Sequence, residues 1–250
     1  MRKPKIRDLK SQARLLLNGK YSFMALITAF MAFANVGLNY LLVHAVPAAP
    51  GILGLVLYFA TLVLCNMVYC ILQAGMIRIY LNLARGASFR FSDLFSAFSN
   101  HPEPIAVYAV VQLLLQTGLF YCFDRLLEAF RYFVHGAAIP LIPFILILLL
   151  GAVLIWMMLH FSLVIFLHCD GPWKTTWKLL TESWNLTSGN MGRQFYLLLS
   201  FIGVGILCLI SLGIGFLFAF PYLHVTQTLF YLNLLRSAPN EAENRTASHV

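Results

Sequence analysis

Negative charge is scarce in this chain. Nine Asp and Glu stand against 17 Lys and Arg, and charged residues make up only 10% of 250 while apolar ones make up 60%. Soluble domains carry about a quarter charged residues, so this composition belongs to another class. No charge at all falls within Tyr21–Ile77 (57 residues), Pro104–Phe123 (20), Tyr132–Cys169 (38) or Gln194–Leu235 (42). Carboxylates kept inside a membrane serve proton relays and ion coupling, and their absence argues against a proton-coupled carrier or an intramembrane aspartyl protease. HExxH, the phosphate-cradling GxxxxGK[ST] and the GxSxG nucleophile elbow are missing too. Cysteine is odd in number (Cys65, Cys70, Cys122, Cys169, Cys208) and forms no CxxC pair. That pattern supports neither a disulfide framework nor structural zinc, and the thiols read as small polarisable core groups. These absences give an expectation of no enzyme chemistry, no cofactor and no metal.

What is present is length. About 20 helical residues cross a hydrocarbon core roughly 30 Å thick. Runs of 20 and 38 residues hold one crossing each, and runs of 57 and 42 hold two each with a turn between. The expected fold is all-α, a polytopic integral membrane protein with six transmembrane helices at about 21–46, 52–83, 105–123, 139–167, 195–212 and 214–235. A basic segment, 1–20, precedes the domain 21–236, and a polar tail, 237–250, follows it as a disordered cytoplasmic segment.

Lys and Arg are retained on the cytoplasmic side of short loops. With the N-terminus inside, 15 of the 17 basic residues lie inside and only Arg125 and Arg131 outside, so both termini are expected in the cytoplasm. The first apolar run follows a 20-residue basic lead and is too long for a cleavable signal peptide. The net charge of +8 is spread along membrane edges and forms no separate basic domain, which argues against nucleic acid as a partner.

Three segments outside the spans are amphipathic. In 1–20, Ile6, Leu9, Ala13, Leu16 and Leu17 share a face away from Lys10 and Arg14, the pattern of a helix in the headgroup layer, serving as anchor or as sensor of anionic lipid. In 88–99, Phe91, Leu94, Phe95 and Phe98 follow helical spacing. In 171–188, Trp173, Trp177, Leu180 and Trp184 oppose Lys174, Lys178 and Glu182. That face reads as a water–lipid anchor, with an aromatic ligand box as the alternative.

Polar residues inside the spans also keep helical spacing. Asn66, Gln73 and Tyr80 are seven apart, and Tyr108, Gln112 and Gln116 are four apart. Buried amides bond neighbouring helices or line a solute path. Pro221, beside Tyr222, interrupts the last span, either as a structural kink or as the broken backbone of a binding site. Arg78 lies close enough to a span end to snorkel. His160, His168 and His224 lack the partners that complete a metal set.

Across Tyr58–Leu235 the chain resembles the DUF975 family of bacterial integral membrane proteins. The likeness rests on Glu182, Ser183, Leu186, Gly189 and Phe195, then Leu199-Ser-Phe-Ile-Gly203, Gly213-Ile-Gly215, Pro221-Tyr222, Thr226 and Phe230-Tyr231. Asn82-Leu-Ala-Arg-Gly86 followed by Asp93-Leu-Phe95 match its first cytoplasmic loop. A Pro-Gly-Ile turn is absent near Leu150–His160, Phe161-Ser162 replaces Tyr-Ser, and the basic residue after the glycine is displaced to Arg193. The resemblance implies a polytopic membrane protein without an assigned reaction.

The expected function is therefore non-enzymatic: binding of membrane lipid or of a membrane partner protein. The alternative is a small-solute or lipid transporter or channel whose path passes Asn66, Gln73, Gln112, Gln116, Pro221 and Tyr222. Lipid contacts are expected at Lys10, Arg14, Trp173, Lys174, Trp177, Lys178 and Trp184.

Overall fold

The computed structural model describes residues 5–45, 51–134, 141–172 and 174–247, which form helices and turns with no strand among them. The helices are α1 (Ile6–Leu17), α2 (Tyr21–Ala45), α3 (Ile52–Arg85), a short 3-10 helix (Phe91–Phe95) leading into α4 (Ser96–Ser99), α5 (Glu103–Val134), α6 (Leu141–Phe161), α7 (Val164–Asp170), α8 (Thr176–Ser188), α9 (Met191–Leu199), α10 (Ile202–Ile210) and α11 (Phe216–Ala247). The outer turn at Pro47 and Pro50, Pro140 and Trp173 lie outside the described residues.

Five helical stretches are long and apolar enough to cross a membrane: Tyr21–Leu42, Ile52–Arg85, Glu103–Tyr132, Leu141–Asp170 and Met191–Ile210. The sixth expected span lies within α11 and is not one of them. His224, Gln227 and Asn233 dilute its apolar character, and protein covers much of it: Tyr222, Val225, Thr226, Phe230, Tyr231 and Leu234 are buried. Its hydroxyls bond back along the helix, Thr226 Oγ1 to Tyr222 O at 2.7 Å and Thr228 Oγ1 to His224 O at 2.8 Å.

Several expected boundaries differ. The segment after Phe123 extends the third expected span as α5 to Val134, one of two readings its pattern allowed, and α11 runs on to Ala247 where a disordered tail was expected. The fourth expected span is split into α6 and α7, and the fifth into α9 and α10.

The core sits at the basic end of the bundle. Cys70–Leu83 of α3 is largely buried, with Leu94, Ile105, Ala109, Val164–Leu167 and Phe230–Leu234 around it. At the other end the helices expose apolar surface on nearly every side, Ile142 at 75% and Phe120 at 76%. Helices apolar all round but uncovered by protein call for hydrocarbon as their solvent.

All three amphipathic segments pack on protein, α8 through Leu179, Ser183 and Thr187 against α6 and α7. Ile6, Leu9, Ala13 and Leu17 of α1 are buried in the same core as α11. The face expected to meet headgroups is thus covered by the chain itself, which satisfies the same periodicity. The Phe91–Ser99 segment buries Leu94 and Ala97 against α3, with Phe91 and Phe95 edge-on to Phe30 of α2 at 5.4 and 5.9 Å. Gly75 makes this approach feasible, because any Cβ there would overlap the Leu94 carbonyl. The Asn82–Gly86 motif ends α3: Gly86 takes φ 71° and Ala87 N donates to Asn82 O at 2.9 Å.

Gly75→Ala is expected to destabilise the protein by at least about 1–3 kcal/mol through overpacking. Gly192→Ala, whose Cβ meets nothing within 4 Å, is expected to leave it unchanged or slightly more stable. Thermal unfolding in detergent compares the two.

Candidate functional site

The α6–α7 junction interrupts a helical ladder among buried residues. Its three freed carbonyls are each taken by a side chain from another helix. Leu159 O accepts from Gln194 Nε2 of α9 at 3.2 Å, and from Ser162 Oγ at 2.8 Å. His160 O accepts from Ser183 Oγ of α8 at 2.6 Å, and Phe161 O from Tyr108 OH of α5 at 3.0 Å. Gln194 also donates to Ser162 Oγ. Thr187 Oγ1 donates to Ser183 O at 2.8 Å and lies 2.8 Å from His160 Nδ1. Trp184 stacks on the His160 ring at 3.9 Å and Trp156 meets both edge-on. His160 fills the space between the Trp156 and Trp184 rings. Every hydroxyl here is committed to structure, and the cluster reads as a fastening.

A second feature is a groove of about 740 Å³ between α1, α10 and α11. Val204, Leu207, Phe218 and Ala219 give it apolar walls, and Arg14 stands at one end with Tyr21 and Tyr222. Arg14 Nε donates to Tyr222 OH at 3.2 Å, and the guanidinium lies 5.4 Å from the centre of that ring. Its terminal amino groups stay open at the exposed mouth. Lys10 Nζ bonds Ser200 O at 2.9 Å over the Phe201 ring. Burial lowers the Lys10 pKa from the ordinary lysine value, and the neighbouring Arg14 charge lowers it further.

The third feature is a polar seam between α3 and α5. Asn66 Nδ2 donates to Ala109 O at 2.7 Å and Cys70 Sγ to Gln112 Oε1 at 3.2 Å. Asn66 lies with Asn35, Asn39, Tyr69 and Gln116 around a cavity of about 190 Å³. Farther along α3, a separate cavity of about 210 Å³ is lined by Arg78, Asn100, His101 and His168.

The expected path is therefore not continuous. Asn66 and Gln116 share one cavity, Gln112 is tied to Cys70, and Gln73 lies half-buried beside Tyr69. Pro221 and Tyr222 lie on α11, and Tyr222 lines the Arg14 groove instead. Among the expected lipid contacts, Trp177 is 79% exposed and Lys178 is exposed, whereas Lys174 pairs with Glu182. Trp184 turns inward to His160, because α8 buries Leu179, Ser183 and Thr187, one residue out of step with the tryptophan face. His160, His168 and His224 go to three different surroundings; His224 stacks on Tyr80 at 5.5 Å. Sequence reasoning missed the Ser183–Thr187–Gln194 fastening and the Arg78 cavity. The uncharged Gln194 in an apolar run was the one signal available for the first.

These features define an all-helical protein whose apolar helices suit a membrane, with its polar groups gathered at helix breaks and seams. Residues 1–238 match the family model described as protein of unknown function (DUF975), and the chain belongs to that family. No curated protein and no solved structure matches it.

Removing Gln194 leaves the Leu159 carbonyl with fewer donors in a buried setting. Gln194→Ala is expected to cost about 1–3 kcal/mol, and Ser183→Ala a similar amount at His160 O. Arg193 sits beside Gln194 but outside this fastening, so Arg193→Gln is expected to be milder. Unfolding midpoints of the three variants decide this.

Proposed function

We propose that the protein is a non-enzymatic, six-span protein of a bacterial cytoplasmic membrane that binds anionic lipid along the α1–α10–α11 groove. The observation that carries this reading is the groove's polarity: apolar walls over its length and an exposed guanidinium at one end. From Tyr222 to Gly215 along α11 the groove extends about 10 Å at 1.5 Å per residue, within one leaflet. An acyl chain would fill it while the headgroup phosphate meets Arg14, whose planar fork suits phosphate oxygens. The distribution of basic residues supports both termini in the cytoplasm and this mouth at the inner leaflet. Membrane lipid is thus the partner, with no nucleic acid and no cofactor. A membrane partner protein is the competing occupant, and the oligomeric state is left open.

A second reading, a path for a small solute, draws on one observation. Two polar cavities, at Asn66 and at Arg78, border α3 about three turns apart, with the Cys70–Gln112 bond between them along the helix.

In nanodiscs, phosphatidylglycerol is expected to raise the unfolding temperature above that in phosphatidylcholine. Arg14→Gln should weaken this lipid response about tenfold, since hydrogen bonds to charged groups contribute about 1.5–3 kcal/mol. Ala219→Phe, which fills the groove and leaves the charge in place, should also reduce it. An unaltered response in both variants would remove the groove from consideration. For topology, reporters fused after Pro50 and after Arg236 are expected on opposite faces of the membrane, and finding them on the same face would overturn the six-span reading.

A further inference from the structure

Two arginines of α3 have contrasting surroundings. Arg85, its last residue, pairs with Asp170, and Asp170 also accepts from Tyr231 OH at 3.1 Å. Arg78 lies two turns deeper, within the stretch long and apolar enough to span a membrane. It has no carboxylate partner among the described residues, and its one hydrogen bond is a long contact of 3.5 Å to Ser96 Oγ. A guanidinium carries five N–H donors, so most of these are unmet. Snorkelling would bring the head to water, yet this head lies half-buried on the wall of a cavity of about 210 Å³.

The rest of the wall is chosen from donors and small groups. Asn100, His101 and His168 supply polar atoms, while Ala74, Ala97 and Gly171 leave room. Each acidic residue nearby is engaged elsewhere. Asp170 is held by Arg85 and Tyr231, Asp93 accepts from Arg90 N at 2.8 Å, and Glu103 lies 3.9 Å from His101 on an exposed surface. Cys169 spends its thiol proton on Ala74 O at 3.2 Å. No carboxylate lines the cavity. A cation inside an apolar segment needs an anion or water to offset its desolvation, and such residues mark functional sites by default.

We propose that the cavity between α3, α4 and α7 binds a phosphate-class oxyanion, with Arg78 as its charged anchor and the Asn100 amide and His168 ring as neutral donors. The cavity is smaller than the roughly 300–1,000 Å³ of drug-sized ligand sites, so it suits a small tetrahedral group. Arg is the residue matched to such oxygens because two of its N–H groups can bond them in parallel. The same chemistry is offered by free inorganic phosphate and by a phospholipid headgroup. This site is separate from the Arg14 groove and stands without it.

The test uses the full chain in phosphatidylcholine nanodiscs, titrated with inorganic phosphate and followed by calorimetry and thermal unfolding. Phosphate is expected to bind and to raise the unfolding temperature, sulfate to compete, and chloride at equal ionic strength to do neither. Arg78→Gln should weaken binding by about tenfold or more. Asn100→Ala, which keeps the charge, should weaken it severalfold, and Arg90→Gln should leave it unchanged. If soluble phosphate fails but phosphatidylglycerol stabilises the wild type with a component lost in Arg78→Gln and kept in Arg90→Gln, the headgroup is the source and the site stands. If neither phosphate source distinguishes wild type from Arg78→Gln and Asn100→Ala, the proposal is overturned.

Discussion

A backbone carbonyl freed inside an apolar bundle must find a donor, and this structure turns on how three of them do. The break between α6 and α7 releases Leu159, His160 and Phe161 O, and Gln194, Ser183 and Tyr108 answer from α9, α8 and α5. Non-helical backbone at membrane depth is tolerated only where protein or water satisfies it. The break therefore joins four parts of the chain, since none of these donors has an equivalent partner elsewhere. Once α8 is fastened by Ser183 and Thr187, Trp184 falls over His160 and the ring stack closes the site. Packing and polar satisfaction agree at this junction, which is the condition for one well-defined arrangement.

The remaining architecture follows from where that junction sits. Buried side chains concentrate at the basic end, where α1, Phe91–Ser99, α7 and α8 cover the inner stretches of α3 and α11. Gly75 lets one backbone touch another there, and Arg85 with Asp170 and Tyr231 ties the ends of α3 and α7 to the middle of α11. Toward the other end the helices separate. Gly118 of α5 faces Leu154 and Gly151 of α6 faces Cys122, so these two helices stay close as a pair. An assembly packed at one end and open at the other presents its surface to lipid chains over much of its length.

How much of this was legible depends on which signal each element carries. Uninterrupted apolar runs announce helices that need hydrocarbon, and Ser211–Gly215 announces the turn between α10 and α11, where Gly213 N bonds Cys208 O at 3.0 Å. The family likeness was also readable from motifs, although the match extends to residues 1–238 and so covers α1 as well. The α6–α7 break was not readable. No Pro or Gly marks it, and Ser162 supports it by accepting from a donor 32 positions away, Gln194. The inner face of α8 was misjudged because small hydroxyl residues count as polar in any periodicity, yet Ser183 and Thr187 are fully buried. The apolar face of α1 posed another ambiguity, since a neighbouring helix and a lipid surface demand the same pattern. Arg78 could be read only as a cation near a span end until α4 and α7 showed what encloses it.

The composition of α11 has a consequence for biogenesis. Its histidine, glutamine and asparagine make it a poor candidate to enter hydrocarbon alone, and the translocon judges each segment by such partitioning. Its comfort comes from α1, α2 and α3, which precede it in the chain and sheath its polar flank. On the six-span reading, integration of this helix would depend on earlier helices waiting at the lateral gate, so that the bundle would act as the solvent for one of its own segments.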